Sequence, residues 1–268
     1  MQPPHPPKDS SSNGCIYLYD GSLEGLINAV ATAIKTRAQI LSIVDRLHHR
    51  PHLFCETVKL ATSREQAKKL MGYLHSLDPE IAQVVVSAYL SGQPDIGLHL
   101  YHFVQRCLQI GKKVTGDYSD SSTRSLLTLH QKIHTEVHRY KGLLRFYRMD
   151  NQLLYAPFAP EYNILSLCVP HFRRRLANER WILHDLRRDL ALLSDKEELK
   201  EIEIDPDFCQ HVKHYGKPPK RNLAAGEKEY QQLWKTFHQS IGNTQRLNRK
   251  LQKKHIPQRY WQYLVEQQ

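Results

Sequence analysis

LLRFYRMDNQLLYAPF, residues 143 to 158, is where the chain changes character. Two short β-type runs, LLRFYRM and QLLYAPF, flank Asp150-Asn151, the pattern of a β-hairpin with a two-residue turn. Upstream, from about Ser63 to Tyr140, apolar residues recur instead with a period near 3.6, which predicts helices over roughly 63–76, 79–91, 95–111 and 121–140. Pro79 and Pro94 stand where a first helical turn tolerates proline, and Gly72, Gly92, Gly111 and Gly116 punctuate the segments. Downstream, a helix at about 163–177 is followed by WILHD, LALLS and LKEIEI, three more candidate strands. With IYLYD near the start the count reaches six. The expectation is an α+β fold with a helical half (63–140), a strand-rich part (141–204) and a small mixed β-sheet of about six strands that includes the first.

Near the start, IYLYD is followed by the turn residues DGS, and Ser22 is placed to cap a helix carrying Leu23, Leu26, Ile27, Val30, Ala33 and Ile34 at helical spacing. Residues 1–14, rich in Pro and Ser, read as a disordered leader ahead of a domain over 15–204. The stretch 205–227 mixes Pro, Gly and charge without periodicity and is expected to be a linker. In the tail, 228–268, Tyr230, Leu233, Trp234, Phe237 and Ile241 form a stripe that predicts a helix packed on the main domain.

With 38 Lys and Arg against 27 Asp and Glu, the formal charge is +11, which favours an anionic partner, nucleic acid or an acidic surface. No run approaches the eighteen or so apolar residues of a membrane span, and MQPPHPPKDSSSNG lacks a signal peptide's apolar core, so a cytoplasmic protein without a membrane partner is expected. Five scattered cysteines with no CxxC pair signal neither a disulfide framework nor a thiolate zinc site. The same absence leaves no cysteine cradle for an iron-sulfur cluster.

The charge is concentrated in the last fifth. From Lys217 to Arg259, eleven basic residues face only Glu227 and Glu229, a local +9. Within a helix inferred over Gln245–His255, Arg246, Arg249, Lys250, Lys253 and Lys254 fall on one face with no interleaved Glu. Like charges at that spacing repel, so the face makes sense if phosphates neutralise it, and each such contact adds affinity by counterion release. Arg259 extends the basic run. Tyr260, Trp261 and Leu264 read chiefly as anchors for the tail, although Trp261 is of a type that stacks on unpaired bases.

A second basic region includes Arg139, Lys141, Arg145, Arg148, Arg180, Arg187 and Arg188, with Arg173, Arg174 and Arg175 at its centre. It suits either a phosphate clamp or ion pairs with Glu179, Asp185 and Asp189. Candidate acids and bases are Asp20, His171, His184 and Asp185, although adjacent strand residues such as His184 and Asp185 point to opposite faces and make no dyad. For Asp20 a turn-capping role is favoured. His130, His134 and His138 in single file on one helix, Cys168 with His171, and Cys209 with His211 and His214 are discounted as metal ligands. No metal and no cofactor is indicated. The familiar GxGxxG, GxxxxGK[ST], HExxH and GxSxG signatures are missing.

YDGSLEG (19–25), HRYKGLLRF (138–146), YAPFAPEYNIL (155–165), PHFRRRL (170–176), WILHDLRR (181–188) and the tail block RLNRKLQKKHIPQRYW (246–261) together resemble, in order and spacing, a bacterial family described as DNA metabolism or DNA repair proteins. Members of that family are encoded beside a radical S-adenosylmethionine (radical SAM) protein assigned to DNA modification or repair, and some are fused to a uracil-DNA glycosylase-like domain. The resemblance implies DNA, or RNA, as ligand and a radical SAM or uracil-DNA glycosylase-type partner. The expected function is a nucleic-acid-binding component of a repair or modification system. The alternatives are an enzyme acting on a base or nucleotide, and an adaptor for the radical SAM partner.

Overall fold

In a computed structural model, which describes residues 14–51, 55–196, 198–241, 250, 252–253 and 256–267, the chain divides into two units, 1–133 and 134–268. The fold is α+β. Residues 1–13, read above as a leader, lie outside the described residues.

In the first unit IYLYD forms β1 (Cys15–Tyr19), the central strand of a parallel sheet of order β2-β1-β3, with β2 at Ile40–Asp45 and β3 at Glu56–Lys59. Helix α1 (Leu23–Thr36) is the crossover that a parallel β1–β2 pair requires. Ser22 caps it as expected, its Oγ accepting from Gly25 N at 2.9 Å. Helices α2 (Arg64–Leu77), α3 (Pro79–Leu90) and α4 (Ile96–Ile110) follow close to their expected bounds. Ser63 and Asp78 cap the first two, and Pro79 opens α3. At Gly97 a side chain would put its Cβ 2.2 Å from the Ile43 carbonyl oxygen, so glycine lets α4 lie directly on β2. A 3-10 turn at Gly111–Gly116 leads into α5 (Ser121–Leu143), within which the division between the units falls.

The second unit holds a five-stranded sheet of order β4-β5-β6-β7-β8: β4 Tyr147–Arg148, β5 Leu154–Phe158, β6 Arg180–Asp185, β7 Leu190–Asp195 and β8 Glu198–Ile202. The β4–β5 hairpin is present, but Met149 N donates to Leu153 O at 2.8 Å and Gln152 takes φ 65°, so the loop is the three residues 150–152 rather than two. Helix α6 (Leu165–Arg175) is the crossover between parallel β5 and β6, and β6, β7 and β8 form an antiparallel meander. The described strands thus form two sheets, three parallel and five mixed, instead of one sheet of six.

Two further expectations are corrected. Residues 205–227 are not a plain linker: Pro206–Tyr215 form α7, with Asp205 Oδ1 accepting from Phe208 N at 2.8 Å and Gly216 at φ 70° ending the helix. Its Cys209 and Val212 join a core with Tyr147, Tyr155, Ile182, Leu186, Tyr263 and Val265. The stripe of the tail does lie on a helix, α8 (Glu227–Ser240), but that face is not buried: Tyr230, Leu233, Phe237 and the following Ile241 are all more than half exposed, and only Trp234 packs on the core. The 3-10 turns Gln258–Tyr263 and Val265–Gln267 close the chain, burying Tyr260 and Leu264 as the anchoring reading requires. Among the described residues no helix is long and apolar enough to cross a membrane.

Candidate nucleic-acid interface

The two units differ in charge: 14 Lys and Arg against 11 Asp and Glu leave +3 up to residue 133, whereas 24 against 16 leave +8 beyond it. Within the second unit, many arginines are already neutralised. Arg145 pairs with Glu266 (2.6 Å), Arg148 with Glu179 (3.6 Å), Arg180 with Asp195 (2.9 Å) and Arg188 with Asp185 (2.9 Å). Arg259 bonds Glu161 at 2.8 Å and Glu136 at 3.3 Å and lies over the Tyr260 ring, so it braces the fold. Trp261 is half-buried, its Nε1 donating to Ile256 O at 3.0 Å. Arg173, Arg174 and Arg175 are exposed in the last turn of α6, where cations also complement the helix dipole. Lys250 and Lys253 are exposed, and Arg246, Arg249 and Lys254 lie outside the described residues.

Three lysines have no such partner. Lys217, Lys220 and Lys228 line a cavity of about 600 Å³ together with Tyr147, His211 and Tyr215, and none of the three is in an ion pair among the described residues. The local sequence builds this site step by step. Gly216 turns the chain sharply at the end of α7, where a Cβ would come 2.2 Å from the Gln262 carbonyl oxygen. Pro219 is extended (ψ 143°) and leads into a 3-10 turn, Lys220–Asn222, and Ala224 N donates to Arg148 O while Asp150 N donates to Asn222 O, lacing the segment to the β4–β5 hairpin. Gly226, at φ 89°, then starts α8 and brings Lys228 round to the same rim. Tyr215 is mostly exposed with the His211 ring 4.6 Å away, and Tyr147 is buried as the floor. An adjoining cavity of about 470 Å³ carries Phe146, Arg148, Glu227 and Tyr230. Three ammonium groups around exposed rings suit a ligand that joins phosphate to a flat base.

The expected acids and bases are not gathered into one catalytic group. Asp20, in the first unit, accepts from Ser22 N (2.9 Å), Ser22 Oγ (2.6 Å) and Thr62 Oγ1 (2.7 Å). The Ser22 bonds, then that of Thr62, hold its carboxyl down at about 2, so it is the ionised acceptor of a turn. Asp185 is wholly buried and accepts from Arg187 N (3.0 Å) and Arg188 Nη1 (2.9 Å); burial raises its pKa against the pull of Arg188. His171 is half-buried, and burial, then Lys141, Arg175 and Arg174, lower its pKa. His130 is buried against Ser87 Oγ at 2.8 Å, whereas His134 and His138 are exposed.

His184 has a richer setting. On β6 it points away from Asp185, as strand alternation requires, and is 1% exposed. Its Nδ1 lies 2.7 Å from the Tyr155 hydroxyl and its Nε2 4.0 Å from Cys209 Sγ on α7. That thiol donates to Asp189 Oδ1 at 3.1 Å, and Lys213 Nζ is 2.6 Å from the same carboxylate oxygen. Burial lowers His184 to about 4 and raises the pKa of Cys209. Cys209 and Asp189 were invisible as partners in the sequence, because the residues that meet lie 20 to 25 positions apart.

A family model described as a domain of unknown function, DUF4130, matches residues 94–266, a span that includes the whole of the lysine-rimmed cavity. Comparison with curated proteins finds no match.

Proposed function

The chain belongs to the DUF4130 family, and from that premise we propose that it is a nucleic-acid-binding component of a DNA repair or DNA modification system, working in the cytoplasm with a radical SAM protein, a uracil-DNA glycosylase-type protein, or both. The observation that carries the reading is the cavity ringed by Lys217, Lys220 and Lys228 beside Tyr215 and His211. Cations held without carboxylate partners keep their full attraction for phosphate, and their contacts release counterions from the strand. The exposed ring offers a stacking surface that any base can use, which suits single-stranded or locally opened substrate. The exposed Arg173, Arg174 and Arg175 supply a second basic patch. The reaction itself falls to the partner, since Asp20, His184 and Asp185 are each held in structural bonds of their own. The six-block resemblance to DNA repair proteins supports the same assignment.

The test is fluorescence anisotropy with labelled single-stranded and duplex DNA over a range of salt. Replacing Lys217, Lys220 and Lys228 together by Gln removes up to three phosphate contacts, so the slope of log K against log salt becomes shallower by about 2 on single strands and nearly 3 on duplex. An unchanged slope in the triple variant refutes the reading. Binding of the radical SAM protein with no affinity for nucleic acid assigns the lysines to an acidic protein surface instead.

A further inference from the structure

We propose that His184, Asp189 and Cys209 form a binding site for a divalent transition metal, zinc being the ion whose preferences the donors match best. The Nε2, a carboxylate oxygen and Sγ of these residues all lie within 4.8 Å of one another. They come from three different elements: β6, the β6–β7 turn and α7. One nitrogen, one oxygen and one sulfur is a donor set that suits zinc and excludes calcium and magnesium, which take oxygen ligands. An ion about 2.0 to 2.3 Å from each ligand holds its donor atoms about 3.3 to 3.8 Å apart. The 4.0 Å between Nε2 and Sγ and the 3.1 Å between Sγ and Asp189 Oδ1 therefore need to change by only a few tenths of an ångström.

The surroundings are those of a metal ligand set. The imidazole of His184 is fixed by the Tyr155 hydroxyl at 2.7 Å on Nδ1, which leaves Nε2 facing the thiol, and such an outer hydrogen bond is what orients a metal-binding histidine. The Asp189 side chain is 60% exposed, so an ion has a path in from solvent and a fourth position remains open to water. One positive group occupies the carboxylate: Lys213 Nζ sits 2.6 Å from Oδ1 and 2.8 Å from Oδ2 of Asp189. Its side chain is one-third exposed, so it can swing outward, and it competes with the metal for Asp189. When the ion binds, Cys209 gives its proton to solvent, which makes binding tighter as pH rises.

The experiment uses the full-length, tag-free protein stripped with EDTA, titrated with Co²⁺ for the thiolate-to-cobalt charge-transfer absorption and with Zn²⁺ against a chromophoric chelator. The expected result is one ion per chain with the thiolate band present. Cys209→Ser abolishes the band and weakens Zn²⁺ by 100-fold or more, Tyr155→Phe weakens it by about 10- to 100-fold, and Lys213→Gln tightens it. Near-ultraviolet circular dichroism checks that each variant keeps its fold, and the wild-type cobalt spectrum decides the matter should a variant fail to fold. The absence of a thiolate band in the wild type, or an affinity indifferent to Cys209→Ser, overturns the proposal.

Discussion

Replacing Glu136 by Gln tests the bracing of the second unit at its most concentrated point. Glu136, on α5, is 2% exposed and accepts from Glu161 N (2.9 Å), Tyr162 N (3.0 Å), the Tyr260 hydroxyl (3.2 Å) and Arg259 Nη2 (3.3 Å). Glutamine has nearly the same shape but only one acceptor oxygen, so its amide group turns toward one of the two backbone N–H donors. A buried donor left without a partner costs about 1–3 kcal/mol. The Arg259 side chain is 46% exposed, so loss of its charge partner adds at most about 1 kcal/mol. The expected destabilisation is therefore about 1–4 kcal/mol, and for a chain of this size each kcal/mol lowers Tm by roughly 2–4 °C. Trp181, Trp234 and Trp261 all belong to the second unit, so tryptophan fluorescence during urea unfolding reports on that unit alone. Arg259→Met in the same assay is expected to cost less than about 1 kcal/mol. A loss below about 0.5 kcal/mol in Glu136→Gln, or a larger loss in Arg259→Met, refutes the assignment of the energy to the backbone donors.

Two further outcomes follow from particular residues. Because burial depresses His184 to about 4 in the folded chain, the unfolded chain binds the extra proton first as pH falls from 6.5 to 4, and stability drops through that window. In EDTA, moving from pH 7 to pH 5 is expected to remove about 2 kcal/mol in the wild type and to leave His184→Gln without that share of the loss, as read by urea midpoints at the two pH values. Gly97→Ala places a methyl group on the Ile43 carbonyl and is expected to destabilise the first unit by about 1–3 kcal/mol, visible as faster hydrogen exchange in α4 and β2. Unchanged exchange there refutes the close approach.

The helices from α2 to α5 were legible because their apolar period is long and their ends carry Ser63, Asp78 and Pro79. Strands β2 and β3 were not, since short parallel strands declare themselves through a partner remote in sequence and not through alternation of their own. In α7 the marks read as chain breakers, Pro206 and Gly216, are its first-turn proline and its terminating glycine. The stripe on α8 gave the helix but not its burial, because periodicity reports that one face is apolar and says nothing of whether another element covers it. The excess charge of the second unit was legible from composition, but which of its cations meet a carboxylate was not. Of the arginines that looked like a clamp, Arg145, Arg148, Arg180 and Arg188 are engaged by carboxylates from the same unit, Arg173, Arg174 and Arg175 are exposed, and three lysines beyond α7 are in no ion pair among the described residues.

The closing segment has one more effect. Glu266 accepts from Arg145 and from Trp234 Nε1 at 3.1 Å, while Arg259 and Tyr260 reach Glu136. Residues 256–267 are thus fastened to Glu136, Arg145 and Trp234, the first of these as many as 124 positions away in sequence. Contacts of such sequence separation carry a large loop-closure cost, which makes them slow to form as the second unit folds.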